Sequence, residues 1–96
     1  MHTPELRNFT LSLEPAVGLI TFFYAFLNGV MVIQEDGYEK RTWSGKIPLS
    51  QMNLKIRVVG IGASSFKLSI NLPGAAEDQS LTLQLQSGYF EIDLTL

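Results

Sequence analysis

The chain contains no cysteine, and its one histidine is His2, beside the amino terminus. Without thiols there is no disulfide framework, no zinc–thiolate centre and no sulfur nucleophile. With the imidazole at a terminus expected to fray, a histidine base for a serine is not expected. Charge is also scarce. Seven basic and nine acidic residues amount to 17% of the composition and leave a net charge of -2. Phosphate binding draws on an excess of cations, so nucleic acid is not an expected partner. The opening residues, Met1 to Arg7, lack the basic start and apolar stretch of a secretory signal. They read as the start of a cytoplasmic or already processed chain, and the lack of cysteine adds nothing about compartment.

Helical periodicity is missing as well, apart from a single candidate turn around Ala75 to Gln79. In its place stands alternation of period two. Phe9, Leu11 and Leu13 alternate with Thr10, Ser12 and Glu14 until Pro15, whose missing donor is expected to end the strand. The same pattern recurs in Leu54–Ile56–Val58, Phe66–Leu68–Ile70–Leu72, Leu81–Leu83–Leu85 and Phe90–Ile92–Leu94–Leu96, each with polar residues between. Turn chemistry separates the runs at Asp36-Gly37, Ser44-Gly45, residues 60–65, Pro73-Gly74 and Ser87-Gly88. Pro48 interrupts the stretch from Lys46 to Met52, which reads as a crossover between sheets.

The 96 residues therefore point to a single all-β domain over 1–96. The expected fold is an antiparallel β-sandwich of immunoglobulin-like or C2-like kind, with about seven to eight strands. The runs at Phe9, Phe22, Leu54, Phe66, Leu83 and Ile92 should supply its core.

The stretch from Ala16 to Ile33 holds no charge and reaches the lower length limit of a membrane helix, roughly 17–25 residues. Asn28-Gly29 inside it argues for a hairpin instead, because both positions of a type I′ turn take positive φ. A two-residue loop pairs Leu27 with Val30, Phe26 with Met31, Ala25 with Val32 and Tyr24 with Ile33, leaving both faces apolar. One face has to enter the core. The bulkier set, Phe22, Tyr24, Phe26, Met31 and Ile33, is the expected core face, which leaves Phe23, Ala25, Leu27, Val30 and Val32 for a partner.

Other candidate chemistry reads as structural. Gly60-x-Gly62 is followed by Ser65 and another strand pattern, so no helix N-terminus is available to hold a phosphate, and a loose hairpin loop is expected there. Lys55 and Lys67 fall on wet strand faces, where nothing depresses their pKa values for nucleophilic work. The carboxylate pairs Glu35-Asp36, Glu77-Asp78 and Glu91/Asp93 lack the spacing of a calcium loop. No enzyme activity, metal or cofactor is expected.

The leading functional expectation is a non-catalytic protein-interaction module, a homo-oligomer assembled through the hairpin face or by pairing of exposed strand edges. The alternative is a ligand-binding domain, lectin-like or lipid-facing, in which Tyr38, Trp43 and Tyr89 with turn carboxylates take a carbohydrate or apolar ligand. Membrane contact is the weaker form of that alternative. Trp43 also has a purely structural reading: across the Asp36-Gly37 turn it would stand opposite Val30 and cap the core.

Overall fold

A computed structural model describes residues 6–48, 52–71 and 79–95. Among the described residues eight strands form in chain order: β1 (Leu6–Val17), β2 (Ile20–Leu27), β3 (Val30–Asp36), β4 (Arg41–Pro48), β5 (Asn53–Gly60), β6 (Ser65–Asn71), β7 (Gln79–Gln84) and β8 (Tyr89–Thr95). They make two antiparallel four-stranded sheets, ordered β4-β1-β6-β7 and β3-β2-β5-β8. The alternation read from the sequence thus becomes a β-sandwich. Its order is not the immunoglobulin one, in which the first two strands share a sheet, because β1 and β2 lie in different sheets. Among the described residues no helix is long and apolar enough to cross a membrane. The candidate turn around Ala75 lies outside the described residues, and Gln79 begins β7.

The core lies between the sheets. Phe9, Leu11 and Leu13 of β1 and Phe66, Leu68 and Ile70 of β6 face Phe23, Ala25 and Leu27 of β2 and Leu54, Ile56 and Val58 of β5. Phe66 ties the layers together, standing edge-on to Phe23 at 6.1 Å and to Phe90 at 5.4 Å between centroids. Leu83 and Ile92 pack half-buried against this cluster, whereas Phe22 lies on the outer side of its sheet.

The Asn28-Gly29 turn forms as the sequence predicts, with φ of 47° and 81°. Asn28 does more than turn the chain: its N–H donates to the Asn53 carbonyl at 2.8 Å, and its Oδ1 accepts from the Asn53 N–H at 2.8 Å. The hairpin tip is thereby fastened to the start of β5. Pro15 does not end β1. The strand runs on to Val17 through a bulge between Pro15 and Val17. Pairing with β4 stops at Leu13↔Arg41, so Pro15 has a strand partner on one side only, where a missing donor is tolerated.

The connections correct two sequence expectations. The Asp36-Gly37 turn is a crossover, since β3 and β4 belong to different sheets, and Trp43 pairs with Leu11 rather than standing opposite Val30. Residues 61–64 also cross between sheets, and they are not loose. Ile61 N–H donates to the Leu19 carbonyl, and buried Ser64 accepts from Leu19 N–H at 2.9 Å while donating to the Ile61 carbonyl at 2.6 Å. The expected crossover between β4 and β5 is present in the topology, as these strands lie in different sheets.

Candidate interaction face

The two outer faces of the sandwich differ in chemistry. On the β4-β1-β6-β7 sheet the outward positions are hydroxyl-rich, with one row running Thr42, Ser12, Ser69, Ser80 across all four strands. Side-chain pairs Thr10–Ser44 and Ser12–Thr42, each at 3.2 Å, join hydroxyls across the first two of those strands. That face is an ordinary wet face.

The outer face of the β3-β2-β5-β8 sheet mixes aromatic with charged residues instead. The register builds three outer rows: Asp36, Phe22, Val59, Tyr89; then Gln34, Tyr24, Arg57, Glu91; then Met31, Phe26, Lys55, Asp93. Along the strands the same residues make columns. Column β2 is aromatic (Phe22, Tyr24, Phe26), column β5 ends in two cations (Val59, Arg57, Lys55) and column β8 in two carboxylates (Tyr89, Glu91, Asp93). Phe22 and Tyr24 stack at 4.7 Å, and the Arg57 guanidinium lies 5.7 Å from the Phe26 ring centroid. Lys55 reaches Glu91 at 3.6 Å and Asp93 at 4.0 Å. Arg57 Nε approaches Glu91 at 3.4 Å without hydrogen-bonding geometry, so that contact is one of charge alone. An open depression between the columns is lined by Tyr24, Phe26, Met31, Arg57, Val59 and Tyr89.

Electrostatics follow from this layout. The Tyr89 hydroxyl donates to Glu91, which holds that carboxyl below its ordinary pKa with help from Arg57 and Lys55, and raises the phenol's own pKa. At the sandwich end, Arg41 Nη2 meets Asp36 Oδ1 at 2.7 Å, and Nη1 meets Glu39 at 3.0 Å. The Arg41 hydrogen bond is the main cause of a lowered Asp36 pKa, and the Tyr38 N–H adds to it.

Both carboxyls are favoured in their ionised form by folding. Their stabilisation is complete above the unfolded carboxylate value of about 4 and is lost as pH falls through the lower folded values. Thermal melts taken from neutral to strongly acid pH should show a falling midpoint, and Glu91→Gln should flatten part of the fall. A variant whose acid profile matches wild type would refute this role for Glu91.

The expected partner face is corrected by this geometry. Phe23, Ala25 and Leu27 are core residues, at most 5% exposed, so no partner reaches them. The opposite set, Phe22, Tyr24 and Phe26, points outward. Bulk was the wrong criterion, because a close-packed core alternates large and small side chains, and Ala25 sits between Ile33 and Ile56 in its inner row. Nor is the hairpin register regular. A bulge on β3 at Val32 pairs Ala25 with Ile33 and Tyr24 with Gln34, which carries Ile33 into the core while Met31 stays outside. Val30 is 65% exposed at the tip, and Val32 packs half-buried against the core.

Comparison with known protein families, with curated proteins and with solved structures finds no match to this chain. Its surfaces must be read from their own chemistry.

The aromatics of the ligand-binding alternative are not brought together. Tyr38 is exposed in the β3–β4 connection, Tyr89 lies on the outer face of β8, and Trp43 belongs to the other sheet. Trp43 packs half-buried with its ring 6.0 Å from Phe9. Its indole lies over Gly45, where a Cβ would come within 2.8 Å of it, so the glycine makes room for the ring. This is a core-capping position, as one reading of the sequence had it, though against β1 and not β3. Lys55 and Lys67 lie on different sheets, and among the described residues no group of acidic or histidine side chains is arranged to hold a metal ion. Glu77-Asp78 lies outside the described residues.

The signal for the true outer face was present in the order of charges. Lys55 and Arg57 alternate with core residues on β5, as Glu91 and Asp93 do on β8. Whichever β2 residues shared their rows had to lie outside.

Proposed function

We propose that this chain is a non-catalytic interaction module that docks a second copy of itself on the outer face of the β3-β2-β5-β8 sheet. The observation that supports the reading is the columnar pattern: an aromatic column next to a basic column at the middle of the sheet. A two-fold axis lying in the interface, parallel to the strands and midway between β2 and β5, places the β2 column of each copy over the β5 column of the other. Aromatic faces then meet Arg57 and Lys55, an attraction that already operates within one copy between Arg57 and Phe26. The two cations are balanced by Glu91 and Asp93, so the faces do not repel. Aromatic residues, methionine and arginine are also the types enriched at interface centres.

The test is light scattering across a concentration series. Wild type should associate, and Tyr24→Glu with Phe26→Glu should lose this contact by at least about 30-fold in Kd while melting close to wild type, because both side chains already lie outside the core. Arg57→Ala should weaken it less. Association untouched by the paired glutamates would refute the assignment of this face.

A further inference from the structure

Each sheet of an open sandwich ends in strands whose outward N–H and C=O groups could template another strand, and proteins guard such edges with charge, proline or bulges. Three of the four edges here are guarded. β3 has Glu35, Asp36 and the bulge at Val32, β4 has Arg41 and Lys46 and ends on Pro48, and β8 has Glu91 and Asp93. β7, Gln79–Gln84, has none of these devices. It reads QSLTLQ, without charge, proline or glycine, and pairs with β6 in unbroken register from Gln79 to Gln84. Among the described residues no strand pairs with its other side. Its core-side residue Leu81 is 49% exposed, so the edge is apolar as well as open.

We infer that β7 is a strand-addition edge and that its occupant is β7 of a second copy, paired antiparallel so that two four-stranded sheets merge into one of eight strands. Four observations favour the chain's own copy. An antiparallel pair of identical strands is two-fold symmetric and closes on itself. The strand is neutral, so identical edges meet without like-charge repulsion. Any register that opposes residues of equal parity keeps Ser80 and Thr82 on the wet side, where they prolong the row Thr42, Ser12, Ser69, Ser80. The same register sets Leu81 and Leu83 of the two copies together on the core side, covering the exposed leucine. Hydroxyls already meet across strands in this sheet at Thr10–Ser44 and Ser12–Thr42, so a Ser80–Thr82 contact between copies repeats a local habit.

This contact is separate from the aromatic face, and variants separate the two. Ser80 and Thr82 are exposed, and Lys67, which neighbours Thr82, has Glu14 on its other side, so charges placed there leave folding intact. In a Tyr24→Glu/Phe26→Glu background, which disables the face, sedimentation should still find dimers, and hydrogen exchange should show β7 amides slowing as concentration rises. Adding either S80K/T82K or S80E/T82E should weaken that dimer at least about tenfold, and mixing the lysine and glutamate versions in equal amounts should restore it. A dimer indifferent to both charge pairs, or one not restored by mixing, overturns the inference. So does a monomer with β7 exchange independent of concentration. A monomer whose β7 amides are slowed only by an added extended peptide overturns the choice of occupant. A wild type that forms the β7 dimer and nothing larger, unchanged by the paired glutamates, would count against the aromatic face alone.

Discussion

Phe23→Glu is expected to leave the chain unfolded, whereas Phe26→Glu, three residues along the same strand, leaves it folded. Phe23 is fully buried and stands edge-on to Phe66 of the opposite sheet. Removing a buried phenylalanine ring costs about 3–5 kcal/mol, and a carboxylate in its place adds several more through lost hydration. A domain of this size has a total stability on the order of 5–15 kcal/mol, so the loss is comparable with the whole. Leu27→Glu should behave in the same direction, with a smaller cost at the hairpin end where Leu27 is 5% exposed. Phe26 projects from the other side of β2, beside Arg57, and a glutamate there gains a cation as neighbour. Circular dichroism and thermal melts of the three variants decide the matter. A cooperative melt for Phe23→Glu near that of wild type would overturn the assignment of inner and outer faces.

That assignment marks the boundary of what the sequence discloses. Strand positions are legible because alternation is a local property: each of β1, β5, β6 and β8 shows its wet face in its own polar residues. β2 is different. From Ile20 to Leu27 its hydroxyls are those of Thr21 and Tyr24, which fall on opposite faces of a regular strand, so nothing local states which face is wet. The answer depends on neighbours distant in sequence, namely the Lys55–Arg57 and Glu91–Asp93 alternations that share its rows. The bulge at Val32 is equally non-local, since no glycine marks it and it changes the register only beyond Met31. Connections were the other obscure feature. Asp36-Gly37 has the chemistry of a tight turn whether the next strand returns to the same sheet or crosses to the other, and the Arg41 contacts to Asp36 and Glu39 that fasten the crossing are visible only once β4 is placed. Trp43 illustrates the mixture: one reading of the sequence makes it a core cap, but in a row with Val30, whereas it caps the core from the other sheet, paired with Leu11.

Two glycines with the same backbone angle should respond very differently to alanine. Gly29 and Gly88 both have φ of 81°, a conformation that costs a side chain about 1 kcal/mol. At Gly29 nothing lies within 4 Å of an added Cβ, so Gly29→Ala should lose about that amount and no more. At Gly88 the added atom would stand 2.7 Å from the Gly60 carbonyl oxygen, a backbone atom that has no rotamer by which to retreat. Two hydrogen bonds hold it there: Gly60 N–H donates to the Gly88 carbonyl and Gly88 N–H to the Gly62 carbonyl, each at 2.9 Å. Relieving the clash separates these segments, and each bond is worth about 1 kcal/mol. Gly88→Ala is therefore expected to cost roughly 3 kcal/mol or more, the sum of the φ penalty and both bonds. The damage should spread, because the segment from Gly60 to Ser64 links β5 of one sheet to β6 of the other and is bonded to Leu19 and Leu85 as well. Urea unfolding of the two variants beside wild type gives the comparison directly. Equal losses would mean that the angle alone matters and that the 60–64 and 85–88 segments are not the rigid joint between sheets described here; a loss at Gly88 several times larger establishes that the loop once read as slack is where the two layers are tied.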